Sequence, residues 1–374
     1  MNVGITIENS YSLFSNGLNQ NILFLYWLIK DIGHAPFLID FSDPDKDPEF
    51  GCRAVDKDLS IIGRDDLLKD PNCIDILLMP GAALAQKELE FAKKYNPSLK
   101  TVVIHYGNLF FDDLQKNLFT LGANQQNENS SYYETGLDQI WLSPHYEFSI
   151  SYYELMHRSD VKILPYIWDT AVMDLLLKKR GDFSYVPNNK EKIIGVTEPN
   201  INFSKNCFTP ICILEKLYRS QNLNFEKAII YGAARLADRE LFSNQIINNF
   251  DLPHERGKII FGERTSPDSM YGEDLVNILL SHQHYNSLNY GHLEALYLNY
   301  PLIHNSEELA ELGAGYYYDL FDINEGAKAI EDAILNQDKN IEEYMQKSSD
   351  VLTKYSIKNE LVKDQYKKLI DSIK

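Results

Sequence analysis

Residues 3–40 read VGITIENSYSLFSNGLNQNILFLYWLIKDIGHAPFLID. The opening run, residues 3–7, is short, apolar and bounded by polar residues, which is the pattern of a buried strand. A polar turn containing Asn16 and Gly17 follows. Over residues 19–32 the apolar side chains Ile22, Leu25, Ile29 and Ile32 return at helical spacing, and Gly33 stands where a helix stops. Residues 36–40 form a second strand. A strand, a helix and a strand in that order open an α/β sheet.

The same alternation runs outward from this stretch. Strands are expected at residues 74–79, 100–105, 139–143 and 162–165, with a helix at 84–94. Continuous apolar runs of this length suit parallel strands covered on both faces, so the first half reads as a doubly wound sheet. Residues 182–192, DFSYVPNNKEK, turn polar and carry Pro187 and paired asparagines, which marks a linker. The second half repeats the pattern: a strand at 193–196, a helix at 208–219, strands at 227–231 and 258–261, a helix at 274–280 and a strand at 301–304. Residues 345–374 read as one or two amphipathic helices that return to the N-terminal domain. The expected organisation is an N-terminal Rossmann-like domain over 1–181, a linker over 182–192, a second Rossmann-like domain over 193–344 and terminal helices over 345–374.

Bulk composition agrees with two packed cores. The chain has 374 residues, 44% of them hydrophobic and 24% charged, whereas a single domain usually runs to about 100–200 residues. No run approaches the ~20 apolar residues of a membrane span, and the N-terminus lacks the basic start and apolar core of a signal peptide. A cytoplasmic protein is expected. Cys52, Cys73, Cys207 and Cys212 lie at irregular spacing, which suggests neither a zinc site nor a disulfide framework. The net charge of −18 disfavours indiscriminate nucleic-acid binding, although Arg219, Arg235, Arg239, Arg256 and Arg264 leave room for a local basic groove.

In open α/β sheets, ligands collect beyond the carboxyl ends of the strands, where helix N-termini offer amides to anions. The richest such segment is residues 281–306, SHQHYNSLNYGHLEALYLNYPLIHNS. It joins a histidine-containing loop to Asn289-Tyr290-Gly291, then to a helix beginning near His292, then to a strand. Gly291 would let a pyrophosphate approach the backbone, and Glu294, placed in the first helical turn, could accept both hydroxyls of a ribose.

This segment resembles the nucleotide-binding signature of retaining GT-B glycosyltransferases, in which a Gly-rich turn, a Glu-Ala pair and a Pro-led apolar strand recur in that order. The resemblance implies a GT-B fold, two Rossmann-like domains facing each other across a cleft, and places Glu294 on the donor ribose. Where that signature carries an earlier glutamate, this loop has His282, His284 and Asn286. Residues 193–219 resemble the strand, loop and helix that open the donor domain, and Lys205 falls where the family has a lysine on the diphosphate. Glu198 or Asn200 stands in place of the customary arginine. Asn289, Tyr290, Gly291, His282 and His292 complete the donor-side set implied by the resemblance. On the acceptor side the matching features are the Asn16-Gly17 turn and His105, at the tip of the 100–105 strand, which is expected to contact the reacting sugar or to act as a base. The segment 198–205 and the run from Asn289 to the AGYYY of residues 314–318 are also similar to a family found in bacteria and their phages. Some of its phage members transfer a sugar, arabinose by this reading, to hydroxymethylated cytosine in DNA.

Each residue also has a plainer reading. Glu294 alone is a carboxylate favoured by a helix dipole, Lys205 alone a solvated lysine, and His105 a satisfied strand-end histidine. His282, His284, His292 and His304 could be read as a zinc cluster, but no cysteine or paired carboxylate accompanies them at ligand spacing. Asp43-Pro44-Asp45-Lys46-Asp47 is a solvated acidic loop, and Tyr316-Tyr317-Tyr318 is more typical of packing than of a stacking platform. The resulting expectation is a metal-independent transferase without a cofactor. It takes a nucleoside diphosphate sugar, UDP-linked or similar and carrying arabinose or glucose, and its acceptor is hydroxymethylated cytosine in phage DNA, in the host cytoplasm. A glycosyltransferase of surface polysaccharide and a non-catalytic nucleotide-sugar-binding protein are the alternatives.

Overall fold

The computed structural model describes residues 1–15, 17–42, 48–119, 134–188, 190–272 and 274–373. The chain divides into two compact units, Met1–Val172 with Tyr355–Lys374, and Met173–Lys354. The acidic loop 43–47 lies outside the described residues.

Among the described residues the first unit contains seven strands: β1 (Asn2–Ile7), β2 (Ala35–Asp40), β3 (Ile61–Gly63), β4 (Ile76–Met79), β5 (Lys100–His105), β6 (Gln139–Leu142) and β7 (Val161–Ile163). They form one sheet in the order β3-β2-β1-β4-β5-β6-β7, and every pairing is parallel. The order reverses between β1 and β4, the switch point of a doubly wound sheet. Between β1 and β2 the chain crosses through the helix Gly17–Asp31, which buries Ile22, Leu25 and Ile29. Its first turns also bury Asn19 and Gln20, whose amides donate to the carbonyls of Glu8, Tyr11 and Leu13 and so pin the loop after β1. At the other end of the chain, the helix Glu360–Ile373 buries Val362, Tyr366, Ile370 and Ile373, one face at i, i+4 spacing. Tyr366 donates to the Pro165 carbonyl at 3.0 Å and its ring meets Trp141 edge-on, which seats this helix on the sheet of the first unit.

The second unit contains β8 (Ile193–Val196), β9 (Lys227–Ile230), β10 (Ile259–Phe261), β11 (Ile278–Leu280), β12 (Leu302–His304) and β13 (Tyr316–Tyr317). Their order is β10-β9-β8-β11-β12-β13, again parallel throughout. The switch point therefore lies between β8 and β11. The helix expected at 274–280 is absent; its apolar residues form β11, paired with β8 on one side and β12 on the other. A short apolar run fits either element by periodicity. Burial on both sheet faces decides it: Ile278, Leu279 and Leu280 are at most 1% exposed, a burial that contributes roughly 1.5–3 kcal/mol per side chain. Gly195 of β8 is needed for this packing, since a Cβ there would stand 2.7 Å from the Val276 methyls. The segment around Tyr185, Asn188 and Lys192 packs on this unit. The Tyr185 amide donates to the Leu298 carbonyl, and Lys192, only 5% exposed, donates to the Tyr185 hydroxyl and the Asn188 carbonyl and pairs with Asp338.

Candidate functional site

The carboxyl ends of β8 and β11 lie side by side because Leu280 pairs with Val196. Glu198 follows β8 by two residues and Ser281 follows β11 directly. Glu198 is 1% exposed, and its carboxylate accepts from the Ser281 hydroxyl at 2.7 Å, the His282 amide at 3.1 Å and the Gln283 side chain at 3.1 Å. Both oxygens are thus taken by the loop after β11, so Glu198 braces that loop. Burial pushes its carboxyl up to about 7, against the pull of the Ser281 and His282 donors and of the Lys205 charge. Lys205 is held by backbone bridges to Asn202 and Gln283, and its charge also disfavours protonation of His292. Asn200, at φ 56°, is a loop brace of another kind. Its side chain donates to the carbonyls of Glu198 and Gly232 and accepts from the Cys207 amide at the start of the helix Phe208–Ser220.

Three histidines meet this carboxylate loop. His282 is fully buried, with Nδ1 2.9 Å from the Tyr318 hydroxyl, while His292 Nε2 lies 2.8 Å from the Ser281 hydroxyl. Burial pushes both imidazoles down to about 3, so each is neutral at physiological pH. His284 lies between two rings, stacked on Phe203 at 4.8 Å and tilted against Phe321 at 5.1 Å. Phe321 is 59% exposed and sits at φ 68°, a conformation rare for a bulky side chain and more common where a site is built. His304 differs, because one nitrogen donates to the Ala314 carbonyl and the other accepts from the Ser306 amide. Among the described residues no three His, Cys, Asp or Glu side chains gather as a metal-ligand set.

The turn before His292 corrects the expected helix start. The helix is Tyr290–Tyr297, because the Asn289 side chain caps it by accepting from the Gly291 amide at 2.8 Å. Gly291 therefore belongs to the first turn with its amide already bonded, and Glu294 falls in the second turn, not the first. His292 and Glu294 are two residues apart on the helix and face different ways. His292 turns to Ser281, while the half-buried Glu294 lies near Tyr271, whose hydroxyl proton it helps to hold. The structure thus gathers Glu198, His282 and His292 at Ser281, with the Lys205 charge acting on Glu198 and His292.

In the first unit, His105 stands at the end of β5 with its Nε2 2.9 Å from Nε2 of His157 and its ring 4.9 Å from that of Tyr153. Gly17 is the first residue of its helix, and its carbonyl accepts from Asn21. Asn16 lies outside the described residues. Sequence reading missed Ser281, Tyr318 and His157. Ser281 was signalled only by its place after an apolar triplet, Tyr318 only by the tyrosine run; His157 carried no signal.

No helix among the described residues is long and apolar enough to cross a membrane. Solved structures similar to the chain include a lipopolysaccharide outer core galactosyltransferase, WaaB, at TM-score 0.56 and 12% identity, covering 100% of this chain and 99% of that one. An alpha-glucosyltransferase in complex with UDP and a 13-mer DNA containing a HMU base gives TM-score 0.56 and 16% identity, covering 100% and 99%. The S. aureus protein TarM, in complex with UDP and sugar ligands, gives 0.54 and 11%, covering 98% and 99%. No curated protein matches by sequence. With its two parallel sheets, the chain has the GT-B fold of these glycosyltransferases. A family model matches residues 3–370, and the chain belongs to that family, described as protein of unknown function (DUF2827).

Proposed function

We propose that the chain is a glycosyltransferase whose second unit holds a nucleoside diphosphate sugar at the β8–β11 switch point. The observation that carries this reading is the convergence there of Lys205, the Glu198-braced loop and the helix starting at Tyr290, all at the carboxyl ends of the strands. Breaking a sugar–phosphate bond builds negative charge on the leaving diphosphate, which a fixed cation stabilises. Lys205 takes that role, Glu294 takes the donor ribose, and no metal is required. Under the same proposal residues 1–181 carry the acceptor side, with His105 and the Asn16-Gly17 turn.

For the acceptor we favour hydroxymethylated cytosine in DNA, with arabinose or glucose transferred. The support is the likeness to a glucosyltransferase solved with DNA that contains a modified base. A surface glycan is the second reading, favoured by the likeness to a lipopolysaccharide galactosyltransferase and by the net charge of −18.

A thermal-shift panel of nucleotide-sugars tests the donor, since a ligand at 100 times its Kd stabilises the folded state by about 2.7 kcal/mol. A UDP-linked sugar should raise Tm, and Glu294→Ala should abolish the shift; an undiminished shift in that variant removes the ribose assignment. Labelled donor offered with hydroxymethylcytosine DNA or with lipopolysaccharide then separates the two acceptors.

A further inference from the structure

With Glu198 ionised, the hydrogen bonds around Ser281 have one consistent direction. A carbonyl oxygen can only accept, so the Tyr318 hydroxyl, 2.9 Å from the Ser281 carbonyl, spends its proton there. Its oxygen must then accept from His282 at Nδ1. Likewise the Ser281 hydroxyl donates to Glu198, so its oxygen must accept from His292 at Nε2. A neutral imidazole carries one N–H. His282 is therefore protonated at Nδ1 and bare at Nε2, while His292 is protonated at Nε2 and bare at Nδ1. Both bare nitrogens are shielded from solvent, and neither has a hydrogen-bond partner among the described residues.

We infer that Tyr318 and Ser281 are positioning residues, which hold His282 and His292 in opposite tautomers, each with an acceptor-only nitrogen that a hydrogen-bond donor on a bound group would complete. A buried polar atom without a partner is uncommon in a finished structure, and here two lie on side chains fixed by one serine. At neutral pH a diphosphate can only accept, so it cannot satisfy these atoms; a hydroxyl-bearing group can. The inference stands on hydrogen-bond directions and does not depend on the transferase reading.

The test is ¹⁵N NMR of the full chain labelled at histidine, near pH 7.5, which separates bare from protonated ring nitrogens. In the wild type the bare signals belong to Nε2 of His282 and Nδ1 of His292. Tyr318→Phe removes the acceptor for His282 and should turn that ring into a tautomer mixture while His292 is unchanged. Ser281→Ala removes the acceptor for His292 but keeps the carbonyl that directs Tyr318, so only His292 should mix. A general loosening of the loop would move both rings in both variants, and that result overturns the assignment. So does a wild-type spectrum with the opposite tautomers, which needs no variant to fold.

Discussion

His105 and His157 face each other Nε2 to Nε2 at 2.9 Å, so one proton serves both rings. Protonating the pair would set two cations side by side. Burial and the neighbouring His157 push His105 down to about 3, and burial pushes His157 down to about 4. Burial is the larger cause at His105, so His157→Leu should raise the His105 midpoint only part of the way towards 6.5. A ¹H–¹⁵N titration of the variant reads this directly. An unchanged midpoint would mean that the two rings do not interact in solution.

The buried imidazoles of the second unit predict acid instability. His282 and His292 are held down to about 3 and His304 to about 4, against 6.5 when exposed. Between those values the unfolded chain binds protons that the folded chain refuses. These rings therefore leave stability unaffected above pH 6.5 and lower it as the pH drops from 6.5 towards 3 to 4, by up to roughly 3–5 kcal/mol per histidine. Urea midpoints should fall steadily from pH 7 to pH 5; a flat profile over that interval would show that these rings are reached by water.

Glu198 works in the opposite direction. Its folded value of about 7 lies above the ordinary 4.5, so between these limits the folded state binds the extra proton. Its burial costs nothing below pH 4.5, costs progressively more as the pH rises, and reaches its full cost, about 3 kcal/mol, above pH 7. Glu198→Gln removes this term. The stability of the variant relative to the wild type should therefore improve from pH 4.5 to pH 8, as measured by paired denaturation curves. A constant difference across that range would place the carboxylate in a better-solvated setting than its 1% exposure suggests.

Much of this arrangement was legible in the sequence, for reasons that also explain what was not. The strand Ile193–Val196 lies where its apolar run and the polar segment before it placed it, because both signals are local. The run Ile278–Leu280 is not legible as a strand, since three residues carry no decisive period and the deciding factor is contact with β8 and β12. Glu294 lies in the second helical turn because Asn289, not a residue nearer to His292, supplies the cap. The bond between Ser281 and Glu198 spans 83 positions, and the pair His105–His157 spans 52. Nothing in local patterning reports such distances. Burial is equally silent: Glu198 looks like any loop carboxylate until the fold encloses it.

Lys205 offers a prediction with two independent readouts. Its charge opposes the rise in Glu198, so Lys205→Met should push that carboxyl still higher, visible as an upward shift of the ¹³C carboxyl titration in the free protein. The same substitution should weaken binding of a nucleoside diphosphate about 10- to 100-fold, or roughly 1.4–2.8 kcal/mol, if the ammonium sits on the phosphates. Lys205→Arg retains the charge and should restore the Glu198 titration, and it should recover affinity only in part because the guanidinium has a different shape. A Lys205→Met variant that moves the titration and leaves diphosphate affinity intact would keep the lysine beside Glu198 yet take it off the leaving group. An unmoved titration would separate the two residues altogether.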